Sequence, residues 1–169
     1  MAGKLLNAAL FQAAWFAAVL GAAGGWPWLG PLATVPVLGI NLAMSDDRRG
    51  ELLLWGGAGL LGLAFDSALM SAGLFAPVQT VPGWPFSPPW MIALWLNFAA
   101  TLNVSLSWLQ GRPLLSAAFG AIGGPLAYCG GAGLGATVSF PSEAAIAALA
   151  VGWGVVTPLL FRIAAAARS

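Results

Sequence analysis

Six long apolar runs, parted by short polar breaks, organise the chain. They cover about Leu5–Ala23, Trp28–Met44, Leu52–Phe75, Pro89–Leu109, Leu114–Gly135 and Ala144–Ile163. Each is close to the ~20 residues that cross a ~30 Å hydrocarbon core. The second is the shortest. Short connections make successive runs antiparallel neighbours. The pattern therefore predicts an all-α fold, a polytopic six-helix transmembrane bundle that occupies residues 1–169 as one domain. The 60% hydrophobic and 7% charged composition agrees, as does a mean hydropathy of +0.89. No separate soluble domain fits in the remaining length.

Charge adds an orientation. Lys4 precedes the first span, Arg48 and Arg49 lie between the second and third, Arg112 lies between the fourth and fifth, and Arg162 and Arg168 close the chain. With both termini cytoplasmic, all six cations face the cytoplasm, and Glu143 is the only charge in the opposite connections. That asymmetry is the usual sorting signal for an inner membrane protein, and it needs an even number of spans. The start of the chain also has signal-peptide character, but its apolar stretch exceeds the usual 7–15 residues and five more spans follow, so retention as the first span is expected. Arg48, Arg49 and Arg112 are expected to contact anionic lipid headgroups. A net charge of +1 gives no reason to expect a nucleic-acid partner.

Tryptophan follows the same map. Trp26, Trp28, Trp84 and Trp90 fall near the outer interface, and Trp55 and Trp108 near the inner one, as expected of aromatic belts. Trp15, Trp95 and Trp153 lie deeper, as packing residues.

Asp66 is the one ionisable acid or base deep inside a span. A charge at the bilayer centre costs roughly 2.5–3.5 kcal/mol on insertion scales, and no cation is close in sequence. It is therefore expected as a neutral acid, serving either as a packing hydrogen bond or as a proton-accepting site. At ~1.5 Å per residue it lies roughly 20 Å from the cytoplasmic edge. Asn97 and Tyr128 reach a similar depth and are its expected partners. Gln12, Asn41, Asn103 and Thr157 form a second expected layer, roughly 10 Å in. Asn41 and Thr157 read best as interhelical hydrogen-bond glue, while Gln12 and Asn103 suit a polar interior equally well. Gly59 and Gly62 put a small-residue face below Asp66, so that it points at protein and not lipid.

Span five is crowded with glycine. Gly120-x-x-x-Gly124 and Gly131-x-x-x-Gly135 fit close helix contact, and Gly123-Gly124-Pro125 predicts a kink. Pro36 and Pro158 are expected to interrupt spans two and six. The Pro77–Pro89 connection, with five prolines, Trp84 and Phe86, reads as a stiff interfacial loop or a surface lid. An inverted repeat of three plus three spans aligns only loosely. Histidine is absent and Cys129 is the single cysteine, which removes histidine-held haem, histidine zinc sites and cysteine clusters. No cofactor or metal is expected.

Several segments together resemble a known family. They are Asn7-Ala-Ala-Leu-Phe-Gln12-x-x-Trp15, the Asp66-Ser67 pair, Leu102-Asn-Val-Ser-Leu-Ser-Trp108, Gln110-Gly-Arg-Pro-Leu114 and Gly120-Ala-Ile-Gly-Gly-Pro-Leu126. Nearly the whole chain resembles the uncharacterised bacterial inner-membrane family known as domain of unknown function twenty-eight seventy-eight. Family members often have histidine after the position of Asn103, whereas this chain has Val104, so a role for that histidine does not carry over. Members are often encoded near enzymes that modify membrane acyl chains, which implies an envelope-lipid setting.

Three functions compete. The first is a non-enzymatic membrane protein that binds lipid or a partner protein in envelope or lipid maintenance. The second is a small, dimeric, proton-coupled transporter that uses Asp66. The third is a membrane-embedded lipid-modifying enzyme or its subunit. That reading needs a nucleophile, base or metal constellation that the sequence does not offer, so a non-enzyme is favoured. Membrane lipids and a homodimer or membrane-protein partner are the expected associates.

Overall fold

The computed structural model describes residues 1–135, 138–140 and 142–168. Six helices follow in order: α1 (Ala2–Ala23), α2 (Leu29–Met44), α3 (Arg48–Ser71), α4 (Pro89–Leu102), α5 (Pro113–Gly133) and α6 (Glu143–Ala167). The protein is a polytopic helical membrane bundle. α1, α3, α5 and α6 are long and apolar enough to cross a membrane, and α2 and α4 are shorter apolar helices. Leu32, Leu60, Leu114, Ile122 and Val151 point outward. In a bilayer such side chains meet lipid tails, so their exposure carries no penalty.

Three helix boundaries have a clear local cause. Asp47 caps α3 by accepting from the Gly50 N–H at 2.8 Å. α3 stops at Ser71, short of the expected Phe75, because Gly73 adopts φ +69°. The Leu74 and Gly73 N–H groups then return to the Leu69 and Met70 carbonyls. α4 stops at Leu102, not at Leu109. The Ser107 hydroxyl bonds the Val104 carbonyl, and Ser105 bonds Asn7 through both its N–H and its hydroxyl. Such side-chain bonds compete with the helical ladder, and a turn ending in the short 3-10 helix Ser107–Leu109 replaces the last two helical turns.

Prolines 36, 125 and 158 do not break their helices: α2, α5 and α6 run through them. Each removes one backbone donor, a loss that membrane helices tolerate when neighbours cover the freed carbonyl.

α4 lies at the centre, against α1, α2, α3 and α6. α5 packs chiefly on α6, and α1 approaches it at Gly130 and Gly135. The Gly120-x-x-x-Gly124 pair receives Thr157 and Trp153 of α6, as a close-contact motif should. At one end of the bundle, Lys4 reaches Ser107 at 2.8 Å and Arg168 reaches Asn103 at 2.9 Å, which brings both chain ends to the α4–α5 turn. At the other end, Ala76–Pro77 (β1) pairs antiparallel with Val138–Ser139 (β2) and joins the α3–α4 and α5–α6 connections. No feature of the sequence announced that pairing. Part of the α5–α6 connection lies outside the described residues.

The Pro77–Pro89 connection folds onto the bundle end. Trp90 Nε1 donates to the Gln79 carbonyl at 3.0 Å, Trp84 Nε1 donates to the Ser87 carbonyl, and the Ser87 N–H donates to Ser67 at 2.9 Å. Trp26, Trp28, Trp84 and Trp108 are exposed, as an aromatic belt requires, but Trp55 and Trp90 are buried between helices instead.

Candidate functional site

Asp66 is fully buried at the centre of an aromatic cluster. Its Oδ1 accepts from the Tyr128 hydroxyl at 2.5 Å, and its Oδ2 accepts from Trp95 Nε1 at 2.8 Å. The Ser87 hydroxyl stands beside the carboxyl without a well-formed hydrogen bond. Indole is a donor only, so Oδ2 is held as an acceptor in every protonation state. The Trp95 ring stacks on Trp153 at 4.6 Å and 13°, and Phe65 meets both edge-on.

Glycine makes this geometry possible. A Cβ at Gly62, one helical turn before Asp66, would fall inside the Trp95 ring, and one at Gly59 would press on Leu96. The small face predicted below Asp66 is thus the seat of α4.

Depth found one partner of Asp66 and misassigned another. Tyr128 makes the contact, but Asn97 does not. Asn97 is two residues past Trp95, about 200° around the helix, so it faces α1 and donates to the Phe11 carbonyl at 2.9 Å. Its Oδ1 has no donor among the described residues.

The expected inner layer also divides. Thr157 is buried under Gly120 with its hydroxyl unpaired. Asn41 accepts from Asn7 Nδ2 at 2.7 Å, and Asn7 also reaches the Ala100 carbonyl and accepts from Ser105. Asn103 donates to Glu51 at 2.8 Å and accepts from Gln110 and Arg168. Equal depth on differently rotated helices does not make one layer. Sequence reasoning passed over Asn7, Glu51 and Gln110 as interior residues, because they stand near span ends where polar groups are ordinary. Together they fasten α1, α2, α3 and the α4–α5 turn.

Gln12 belongs to neither network. It lines a cleft of about 580 Å³ between α1 and α4 on one side and α5 and α6 on the other. The walls are mostly aromatic or glycine: Trp15, Phe98 and Trp153 come from α1, α4 and α6, and Phe119, Gly120, Gly123 and Gly124 from α5. Asp66, Trp95 and Tyr128 form part of the same lining. The Trp153 N–H is buried without an acceptor. The volume falls within the roughly 300–1,000 Å³ of small-molecule sites. Arg48, Arg49 and Arg112, the expected headgroup residues, are exposed and lie away from this lining.

Fold and cleft define the class: a small polytopic membrane protein with a polar-anchored cavity inside its bundle. The chain belongs to the family described as protein of unknown function (DUF2878), whose model matches residues 4–159. No curated protein and no solved structure matches it.

Proposed function

We propose that this protein is a non-catalytic binder of a membrane lipid, taken from the bilayer into the cleft between α1 and α5. The cleft carries this reading. It is large and apolar, and it lies where two membrane-crossing helices touch only sparsely. A soluble ligand would have to cross the bilayer to reach it, whereas a lipid arrives sideways. Asp66 serves as the anchor of the aromatic wall, since both of its oxygens are already occupied by Trp95 and Tyr128. This arrangement favours binding over proton-coupled transport.

Gly123 offers the direct test. It lines the cleft, and a Cβ there meets nothing within 4 Å. Gly123→Leu therefore starts a side chain into the cavity from a position where its Cβ meets no neighbouring helix. Native mass spectrometry of protein purified in mild detergent should show a lipid adduct on the wild type, sharply reduced in Gly123→Leu. Gly133→Leu, also open but outside the lining, should keep it. A wild type free of lipid, or an adduct unchanged in Gly123→Leu, would overturn the reading.

Both termini are proposed to face the cytoplasm. Lys4, Arg112 and Arg168 gather around the α4–α5 turn, and Arg48 and Arg49 open α3 at that same end, where Gly50 approaches the Ala167 carbonyl. The retained side is the one rich in Lys and Arg. A green fluorescent reporter fused at the C-terminus should fluoresce, and alkaline phosphatase fused there should stay inactive. The reverse pattern would invert the topology.

A further inference from the structure

Resting on the cleft reading above, the polar groups of the cleft point to a more specific occupant: we infer that it binds an uncharged lipid bearing a hydroxyl group, with that hydroxyl at the Gln12 end. Three observations carry this.

The first is shape. Lining positions run from Ala8 to Val19 on α1, Trp90 to Thr101 on α4 and Phe119 to Gly131 on α5. At ~1.5 Å per residue each stretch is about 16–18 Å long. The cleft is a slot parallel to the helices, shaped for one extended chain and not for a compact ring system.

The second is charge. The lining contains no Lys or Arg, and its one ionisable acid is Asp66. A phosphate or carboxylate would enter a low-dielectric slot with no cation to offset its desolvation. An uncharged head meets no such cost.

The third is hydrogen bonding. The Gln12 amide lines the slot and has no partner among the described residues. An unpaired amide facing hydrocarbon costs free energy until something polar meets it. Thr101 and Ser105 line the slot between Gln12 and the Ala8 end, near the level of Asn7, and their hydroxyls already donate, at 2.6 Å, to the Phe98 carbonyl and to Asn7 Oδ1. Their oxygens remain acceptors. The polar end thus offers both donors and acceptors, and a hydroxyl supplies both in return. The opposite end, with Val19, Trp90, Met91 and Gly131, receives the chain.

Bromine quenches tryptophan on contact, and Trp15, Trp95 and Trp153 line the slot. Protein in phosphatidylcholine nanodiscs is titrated with dibromostearyl alcohol and with dibromostearic acid at a pH where the acid is ionised. The alcohol should quench saturably, with at least about tenfold higher affinity than the acid. Gln12→Leu removes no internal hydrogen bond and should weaken the alcohol by about tenfold, close to the 1.4 kcal/mol of one hydrogen-bonding partner. Gly123→Leu should abolish the saturable component for both probes. If the acid binds as tightly as the alcohol, or Gln12→Leu changes nothing while Gly123→Leu still blocks quenching, the hydroxyl assignment fails and the cleft reading survives. If no quenching is sensitive to Gly123→Leu, both fall.

Discussion

Asp66→Ala is expected to lower the stability of the bundle by about 2–4 kcal/mol. The substitution removes the acceptor for two buried donors, Trp95 Nε1 and the Tyr128 hydroxyl. An orphaned buried donor costs roughly 1–3 kcal/mol. Membrane hydrogen bonds average nearer 0.6 kcal/mol, because the unfolded chain in the bilayer finds other partners. Here the larger figure applies, since the carboxyl has no exposed surface and the Trp95 ring is held in place by Trp153 and Phe65. Asp66→Asn is the milder change. Its amide oxygen can accept from Trp95 Nε1 while its NH2 donates to the Tyr128 hydroxyl, which also accepts, so a loss of about 1 kcal/mol or less is expected. Tyr128→Phe added to Asp66→Ala removes one of the two orphaned donors, so the double variant should lose about 1 kcal/mol less than the sum of the singles. Denaturant titration in detergent, followed by tryptophan fluorescence, measures all of these. An Asp66→Ala midpoint within about 0.5 kcal/mol of wild type would show that the carboxyl anchors nothing.

The same residue marks what the sequence could and could not reveal. Membrane span number follows from apolar run length, a one-dimensional property, and so do the depths of Asp66 and Tyr128. Their contact was therefore legible. Helix rotation is not one-dimensional. Asn97 and Trp95 share a depth to within about 3 Å, yet they face opposite neighbours, and depth alone chose the amide over the indole. The missed signal was Gly62: a glycine one turn from a buried acid marks where a large ring must fit, and the facing span offered Trp95. The α4–α5 turn was missed for a different reason. Asn103, Ser105 and Ser107 lie in an apolar context that hydropathy reads as helix, while their side chains bond backbone and neighbouring helices instead. The cleft had no sequence signal of its own. Glycines of α5 read equally well as a contact motif, and they prove to be both: Gly120 and Gly124 seat α6, whereas Gly123 looks into open space.

Two glycines of one helix should respond in opposite directions to the same substitution. A methyl group at Gly62 would overlap the Trp95 indole at the point where α3 and α4 meet. Trp95 cannot step aside freely, because one face stacks on Trp153 and its N–H is committed to Asp66. Overpacking a tight core costs typically 1–3 kcal/mol, and tilting the ring also lengthens the Asp66 bond, worth about 1 kcal/mol. Gly62→Ala is thus expected to destabilise by about 2–4 kcal/mol and to diminish the near-ultraviolet circular dichroism that stacked indoles produce. Gly56 is exposed on the same helix, and a methyl group there would meet nothing within 4 Å. There alanine only relieves the helix of glycine's backbone freedom, and Gly56→Ala should gain about 0.5–1 kcal/mol. Equal effects at the two positions would mean that α3 does not approach α4 through Gly62. The aromatic wall of the cleft would then lack the support on which its shape depends.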